Sequence, residues 1–224
     1  MGTDLLERLG RIEVSALCDA DKTLPVVDPA VRAMVADVRM AGPALTVVAE
    51  DDHLPVLSAL AEAAAGEVLV IVTNGRGLAV LGELFATEAK RRGLVGVVID
   101  GFCRDVQGLR ALGLPVFARG TIPRSGSTVS RAAARAPVRC GGVDVAPGDI
   151  VFADDDGVVI APARRIAAAL DAADGIARSE QAILREVRAD TGTLHDLTNY
   201  VEHVARLDRG EESALAFQVD VDAK

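Results

Sequence analysis

Tryptophan is absent from this 224-residue chain, and aromatic residues make up only 3 % of it. A core must therefore be assembled from Val, Leu, Ile and Ala. Positive charge is also scarce. There are 24 Lys and Arg against 33 Asp and Glu, a net charge of −9. A non-specific nucleic-acid binder needs the opposite balance, because phosphates demand cations. An anionic membrane surface is disfavoured for the same reason. Neither nucleic acid nor membrane is expected as a partner. Cys18, Cys103 and Cys140 are the only cysteines, and no CxxC occurs. That spacing excludes a zinc knuckle and a redox pair, leaving free thiols suited to a reducing cytoplasm. The N-terminus lacks the basic start and apolar core of a signal peptide. No apolar run approaches the length of a membrane span.

Several chemical signatures are missing as well. Gly75-Arg76-Gly77 resembles the start of a dinucleotide fingerprint, but the third glycine should stand at Val80. No Gly-Lys-Ser/Thr, HExxH or G-x-S-x-G occurs. His53, His195 and His203 are scattered, and only His53 sits at an expected helix start. Asp154 to Gly157 lacks the alternating ligands and late Glu of a calcium loop, so a hairpin turn is expected there. Lys22, Lys90 and Lys224 are the only lysines, and none stands in a convincing position for a Schiff base.

What is present is a strand–helix alternation. A helix is expected after Asp51-Asp52, running through LPVLSALAEAAA to Gly66. VLVIVT (Val68 to Thr73) and LVGVVI (Leu94 to Ile99) read as strands apolar on both faces. Between them a helix is expected from Glu83 to Arg92, with acid first, base last, and Gly93 as the stop. A short helix through VQGLRALG then precedes a strand at PVFA. This order argues an α/β fold with a central, mostly parallel sheet covered on both sides. VDVAPGDIVFADDDGVVIAP adds antiparallel β character in the C-terminal half, with turns at Pro147-Gly148-Asp149 and Asp156-Gly157. A long helix is expected from about Ala163 to Ala189. Residues 1–189 are read as one domain and 190–224 as an arm, helical in part over Leu194 to Leu207.

Ligands of such sheets gather beyond the carboxyl ends of the strands. Two pieces fall there. Arg104-Asp105 follows a buried strand. Asp105 could simply cap the next helix, but a cation just outside a helix N-terminus is disfavoured by the dipole. Arg104 is suited to grip a carboxylate or enolate oxygen. The other piece is Gly82-Glu83-Leu84-Phe85. Gly82 permits close backbone approach, and the amides at Leu84 and Phe85 fall in a first helical turn, where anions bind.

Glu83, twenty residues, then Arg104-Asp105 resembles the acid-x20-Arg-Asp pattern of the RraA-like family. That family includes 4-hydroxy-4-methyl-2-oxoglutarate and 4-carboxy-4-hydroxy-2-oxoadipate aldolases and regulators of ribonuclease E. GPALTVV, LGLPVFARG and VAPGDIVFADDDGVVIAP support the resemblance, which covers about Val14 to Ala189. It implies a swivelling β/β/α domain, a homotrimer or hexamer with interfacial sites, and Mg²⁺ or Mn²⁺. It implies Asp105 as metal ligand, Glu83 as holder of a water on that metal, and Arg104 on the substrate's keto or carboxylate oxygen. Gly82, Glu83, Leu84 and Phe85 would complete the substrate site. The implied activity is retro-aldol cleavage of a 4-hydroxy-2-oxo acid to pyruvate through an enolate, with oxaloacetate decarboxylation by the same route. The opening acid is often Asp in the family and is Glu83 here. A late Glu from a neighbouring subunit has no assignable counterpart; Glu202, Glu211 and Glu212 are the candidates. The alternative is a non-catalytic regulator binding a ribonuclease, but such members tend to lack the acid after the Arg. A methyltransferase reading finds no glycine-rich methyl-donor loop.

Overall fold

A computed structural model describes residues 2–73, 76–131 and 133–219. Asn74 and Gly75, and with them the start of the Gly75-Arg76-Gly77 turn, lie outside the described residues, as does Lys224. In chain order the elements are α1 (Gly2–Leu9), α2 (Val14–Ala20), β1 (Arg32–Ala33), β2 (Met40–Val48), α3 (Leu54–Glu62), β3 (Val68–Val72), β4 (Ala79–Leu81), α4 (Glu83–Arg91) and β5 (Gly96–Cys103). Then follow α5 (Val106–Leu112), β6 (Val116–Thr121), β7 (Val138–Cys140), β8 (Val143–Val145), β9 (Ile150–Asp154), β10 (Gly157–Ala161), α6 (Ala163–Arg188) and α7 (Tyr200–Asp208). The chain divides into two compact units, Met1–Leu170 and Asp171–Lys224, with the boundary inside α6.

The main sheet runs β1-β6-β5-β3-β2-β9-β10, with β4 added beside β5. The β2–β3, β3–β5, β4–β5 and β5–β6 pairs are parallel. The β1–β6, β2–β9 and β9–β10 pairs are antiparallel. The edge strands β1 and β10 approach one another, so the sheet is nearly closed and barrel-like. Strand periodicity decides what each face buries. Leu69, Ile71, Val97, Ile99, Val116 and Ala118 join one apolar cluster with residues of α3, α4 and α5. Their neighbours Val68, Val70, Val98 and Phe117 join a second cluster. Both faces are covered, as the apolar strands imply. The second cover, however, comes from β7, β8, β9, β10 and the Val27–Val31 segment instead of helices. Fully burying each large aliphatic side chain stabilises the fold by about 1.5–3 kcal/mol.

Two features fall where the sequence raised no expectation, and one expectation needs adjustment. Two short helices, α1 and α2, precede the first expected one. β2 contains Gly42 and Pro43, residues that ordinarily argue against a central strand. Pro43 sits where the partner changes, opposite Ile150 of β9, just before pairing with β3 begins at Ala44. Gly42 is required by close approach, since a Cβ there would meet the Gly66 carbonyl oxygen at 2.2 Å. The late helix begins only at Tyr200. The Asp154–Gly157 stretch forms the β9–β10 hairpin turn, as expected. Among the described residues no helix is long and apolar enough to cross a membrane.

Candidate active site

The parallel pairing of β4 with the far end of β5 sets Ala79 opposite Phe102 and Leu81 opposite Cys103. Gly82 and Arg104, the next residue of each strand, therefore emerge side by side. The backbone confirms it, since the Arg104 N–H donates to the Leu81 carbonyl at 3.0 Å. This is the juxtaposition that the strand order implies. A cleft of about 260 Å³ opens there, lined by His53, Gly82, Leu84, Phe85, Arg104, Asp105, Ser125, Gly126 and Thr128.

Asp105 has φ 60° and ψ 41°, a left-handed conformation that non-glycine residues adopt at a cost of about 1–3 kcal/mol. It stands at the N-cap position of α5 but makes no side-chain cap to that helix. Its Oδ2 instead accepts the Glu83 backbone N–H at 3.3 Å, so it serves the start of α4. A carboxylate there is favoured by the α4 dipole. The Gly82 position is crowded against this carboxylate. A Cβ there would meet Asp105 Oδ2 at 2.4 Å and Arg104 Cγ at 3.1 Å. Gly82→Ala is expected to push Asp105 off the Glu83 N–H and to lower the melting temperature by a few degrees; a thermal melt checks this.

Arg104 Nε lies 3.6 Å from Asp105 Oδ2, an ion pair outside hydrogen-bond range. Among the described residues, Nε is a buried side-chain nitrogen with no hydrogen-bond partner. A buried donor without an acceptor costs about 1–3 kcal/mol. A ligand oxygen entering the cleft would satisfy it. Leu84 and Phe85 lie in the first turn of α4, whose N–H groups have no acceptor within the helix. Gly82, as N-cap, supplies no side chain to them.

The Glu83 carboxylate is placed differently. It rests against α5, where a Cβ on Gly108 would meet Glu83 Oε2 at 2.2 Å. Glu83 is exposed and does not line the cleft; its backbone N–H is the part that faces Asp105. Among the described residues no three His, Cys, Asp or Glu side chains group as a metal cage. Asp105 is the one carboxylate among the described residues lining the cleft, and a cation of the magnesium type is commonly held by one or two carboxylates plus substrate oxygens and waters. One carboxylate does not make a closed structural zinc site.

The far wall is what sequence reasoning missed. Residues 125–130 fold back against the 51–53 segment, although more than seventy positions separate them. Asp52 is buried, and its carboxylate accepts from Leu54 N at 2.8 Å, Ser127 Oγ at 2.5 Å, Val129 N at 2.8 Å and Ser130 N at 3.0 Å. Backbone bonds from Ser127 N to Asp51 O and from His53 N to Ser127 O close the same contact. Burial opposes the Asp52 charge, but these four donors outweigh it and hold the carboxyl well below the usual range. A depressed folded-state pKa gives stability that is present above the unfolded value, about 3.9, and lost as pH falls through the folded one. Asp52→Ala should cost about 2–4 kcal/mol by stranding these donors, read as a melting temperature lower by several degrees. The loss should shrink under strong acid.

His53 also lies in the cleft. Its ring meets Phe85 edge-on, with centroids 5.5 Å apart and planes at 83°. Burial first, then the Arg104 charge, pushes its pKa down, while Asp52 and the Val80 carbonyl oppose this. Cys103 is buried beneath the site, its thiol pushed up to about 11, mainly by burial, so it is a poor nucleophile. Among the late carboxylates, Glu211 is engaged by Arg206 and Arg209 within the second unit.

Comparison with known proteins now decides the family. Residues 14–160 match the RraA-like family model, described as Aldolase/RraA. The chain belongs to the RraA-like family. It is 34 % identical over 161 residues to a Halalkalibacterium halodurans protein named "Putative 4-hydroxy-4-methyl-2-oxoglutarate aldolase", covering 71 % of this chain and 77 % of that one. A Burkholderia multivorans protein of the same name is 38 % identical over 152 residues, 64 % of this chain and 92 % of that one. Among solved structures, Streptomyces coelicolor RraAS2, described as an unusual member of the RNase ES inhibitor RraA protein family, superposes with a TM-score of 0.71. It is 30 % identical, over 83 % of this chain and 98 % of that one. The nearly closed α/β sheet is thus the fold of RraA-like proteins. The matched stretch contains every residue of the cleft.

Proposed function

We propose that this RraA-like protein is a divalent-metal-dependent pyruvate aldolase. It cleaves a 4-hydroxy-2-oxo acid to pyruvate and a second carbonyl compound, and decarboxylates oxaloacetate through the same enolate. The observation that carries the reading is the buried Arg104 Nε, without a hydrogen-bond partner among the described residues, beside Asp105 and the first turn of α4. A 2-oxo acid offers what these groups lack. Its carboxylate suits the first-turn amides at Leu84 and Phe85. Its keto oxygen, negative as the carbon–carbon bond breaks, suits Arg104, whose contact strengthens as that charge develops.

Asp105 would hold Mg²⁺ or Mn²⁺, which would supply Lewis-acid polarisation of the keto group when bound. Glu83, whose carboxylate the family resemblance assigns to a water on that metal, contributes in this chain through the backbone N–H that holds Asp105. Gly82 keeps the space between them open. The same reading includes a swivelling β/β/α domain and a cytoplasmic homotrimer or hexamer with interfacial sites. Leu84 and Val129, 81 % and 80 % exposed beside the cleft, support coverage by a neighbouring subunit.

Purified protein with Mg²⁺ should release pyruvate from 4-hydroxy-4-methyl-2-oxoglutarate or oxaloacetate, and EDTA should abolish the release. Protein that binds both ligands' common product, pyruvate, yet turns over neither substrate in the presence of Mg²⁺ or Mn²⁺ would sink this proposal in favour of a non-catalytic regulator.

A further inference from the structure

We propose that the Ser125 and Thr128 hydroxyls bind the oxygens carried on C4 of the 4-hydroxy-2-oxo acid, and so decide which departing carbonyl compound the site accepts. The inference rests on the aldolase reading above and adds two specificity-determining residues to it.

The cleft is larger than pyruvate. Taking one water's share of the liquid, about 30 Å³, as an upper bound per heavy atom, pyruvate fills less than about 180 Å³ of the 260 Å³. On the reading above, α4 and Arg104 hold its carboxylate and keto oxygen. The fragment joined to C3 must then use the rest of the lining. Ser125, Gly126 and Thr128 of the far wall belong to that rest.

The wall offers two hydroxyls and spends a third. Ser127 Oγ donates to Asp52 at 2.5 Å. Among the described residues, neither the Ser125 nor the Thr128 hydroxyl has a hydrogen-bond partner. Each stands between neighbours that are pinned. Ala79 of β4 donates to the Arg124 carbonyl at 2.8 Å and accepts from the Gly126 N–H at 3.1 Å, so Ser125 is bracketed. Thr128 lies between Ser127 and Val129, whose N–H donates to Asp52 at 2.8 Å. Gly126 is packed so closely that a Cβ would meet the Asp51 carbonyl oxygen at 1.9 Å. Hydroxyls carried on backbone fixed at both sides are placed before a ligand arrives, which lowers the cost of ordering them on binding.

Hydroxyls suit this end of the substrate. Each donates one hydrogen bond and can accept others. It can therefore serve an alcohol or carboxylate oxygen on C4 before cleavage and a carbonyl oxygen after it. The wall already holds one carboxylate in this way, since Asp52 accepts from the Ser127 hydroxyl and from the N–H groups of Val129 and Ser130. C1 to C3 leave as pyruvate and C4 leaves with the second product. Contacts to C4 oxygens thus act on the whole substrate and are absent from bound pyruvate.

Ser125→Ala, Thr128→Val and the double variant, in the full-length, Mg²⁺-loaded protein, test this. Each lost hydrogen bond should raise KM for 4-hydroxy-4-methyl-2-oxoglutarate about two- to tenfold, and the double variant should show about tenfold or more. The Kd for pyruvate, which has no C4, should stay within about twofold of wild type by calorimetric titration. That result also shows that the variants are folded. Thr128→Ser keeps the hydroxyl and should bring KM back near wild type. An unchanged KM in the double variant, or a pyruvate Kd that weakens in step with KM, would overturn the assignment while leaving the aldolase reading intact. Wild-type protein that cleaves no 4-hydroxy-2-oxo acid would overturn both.

Discussion

Asp105→Ala is expected to lower pyruvate release by about a thousandfold and to remove its dependence on Mg²⁺. A cation acting on a developing enolate supplies several kcal/mol, and each 1.36 kcal/mol is about tenfold in rate. The alanine variant has a second effect. It removes the acceptor of the Glu83 N–H and leaves an ordinary residue at φ 60°. Asp105→Asn separates the two. Asparagine tolerates left-handed backbone and keeps an oxygen for that N–H, yet it is a much weaker ligand for a hard cation. The asparagine variant should therefore melt close to wild type and still lose most of its metal-dependent turnover. Titration of Mn²⁺ binding, followed by the ion's paramagnetic signal, checks the affinity directly. Unchanged Mn²⁺ affinity in Asp105→Asn would place the metal elsewhere.

The second large effect belongs to Arg104. Arg104→Lys keeps the positive charge but removes Nε and the planar fork. If the buried Nε exists to meet the enolate oxygen, kcat should fall about 10²- to 10³-fold, as when one oxyanion donor is removed. KM should change much less, because the contact strengthens only as charge develops. A rise in KM with kcat unchanged would mean that Arg104 only binds the ground state. Steady-state kinetics on oxaloacetate separates these outcomes, since that reaction depends on enolate stabilisation without the hydroxyl step.

Much of this site was legible along the chain because its pieces are local. Gly82 to Phe85 and Arg104-Asp105 each follow a strand end, and the strand–helix–strand order makes those ends neighbours. β4 itself was invisible. Three residues, Ala79–Leu81, are too few to show a period, yet they carry Gly82 to the site. The role of Asp105 was half legible. A short-range reading makes it the cap of its own helix, whereas its left-handed backbone turns the carboxylate to α4, twenty-two positions earlier. Glu83 matches the family pattern by position, but its longer side chain lies along α5 over Gly108.

The far wall could not be read from spacing at all. Asp52 and His53 look like an ordinary helix start, and the 125–130 loop looks like an ordinary turn-rich connection. Only tertiary contact shows that the first residue anchors the loop and the second enters the cleft. A weak signal was there: two adjacent acids before a helix are more than one cap requires. The same limit applies to the sheet. Apolar strands imply cover on both faces, but they do not say that β7 to β10 provide one of them.

The most direct measurement is a crystal structure of the protein soaked with pyruvate and Mg²⁺. The expected result is pyruvate in the cleft, its carboxylate at the first turn of α4, an oxygen within hydrogen-bond distance of Arg104 Nε, and the cation on Asp105. Pyruvate bound away from this cleft, or Arg104 Nε still without a partner when pyruvate and the cation are bound, would contradict it.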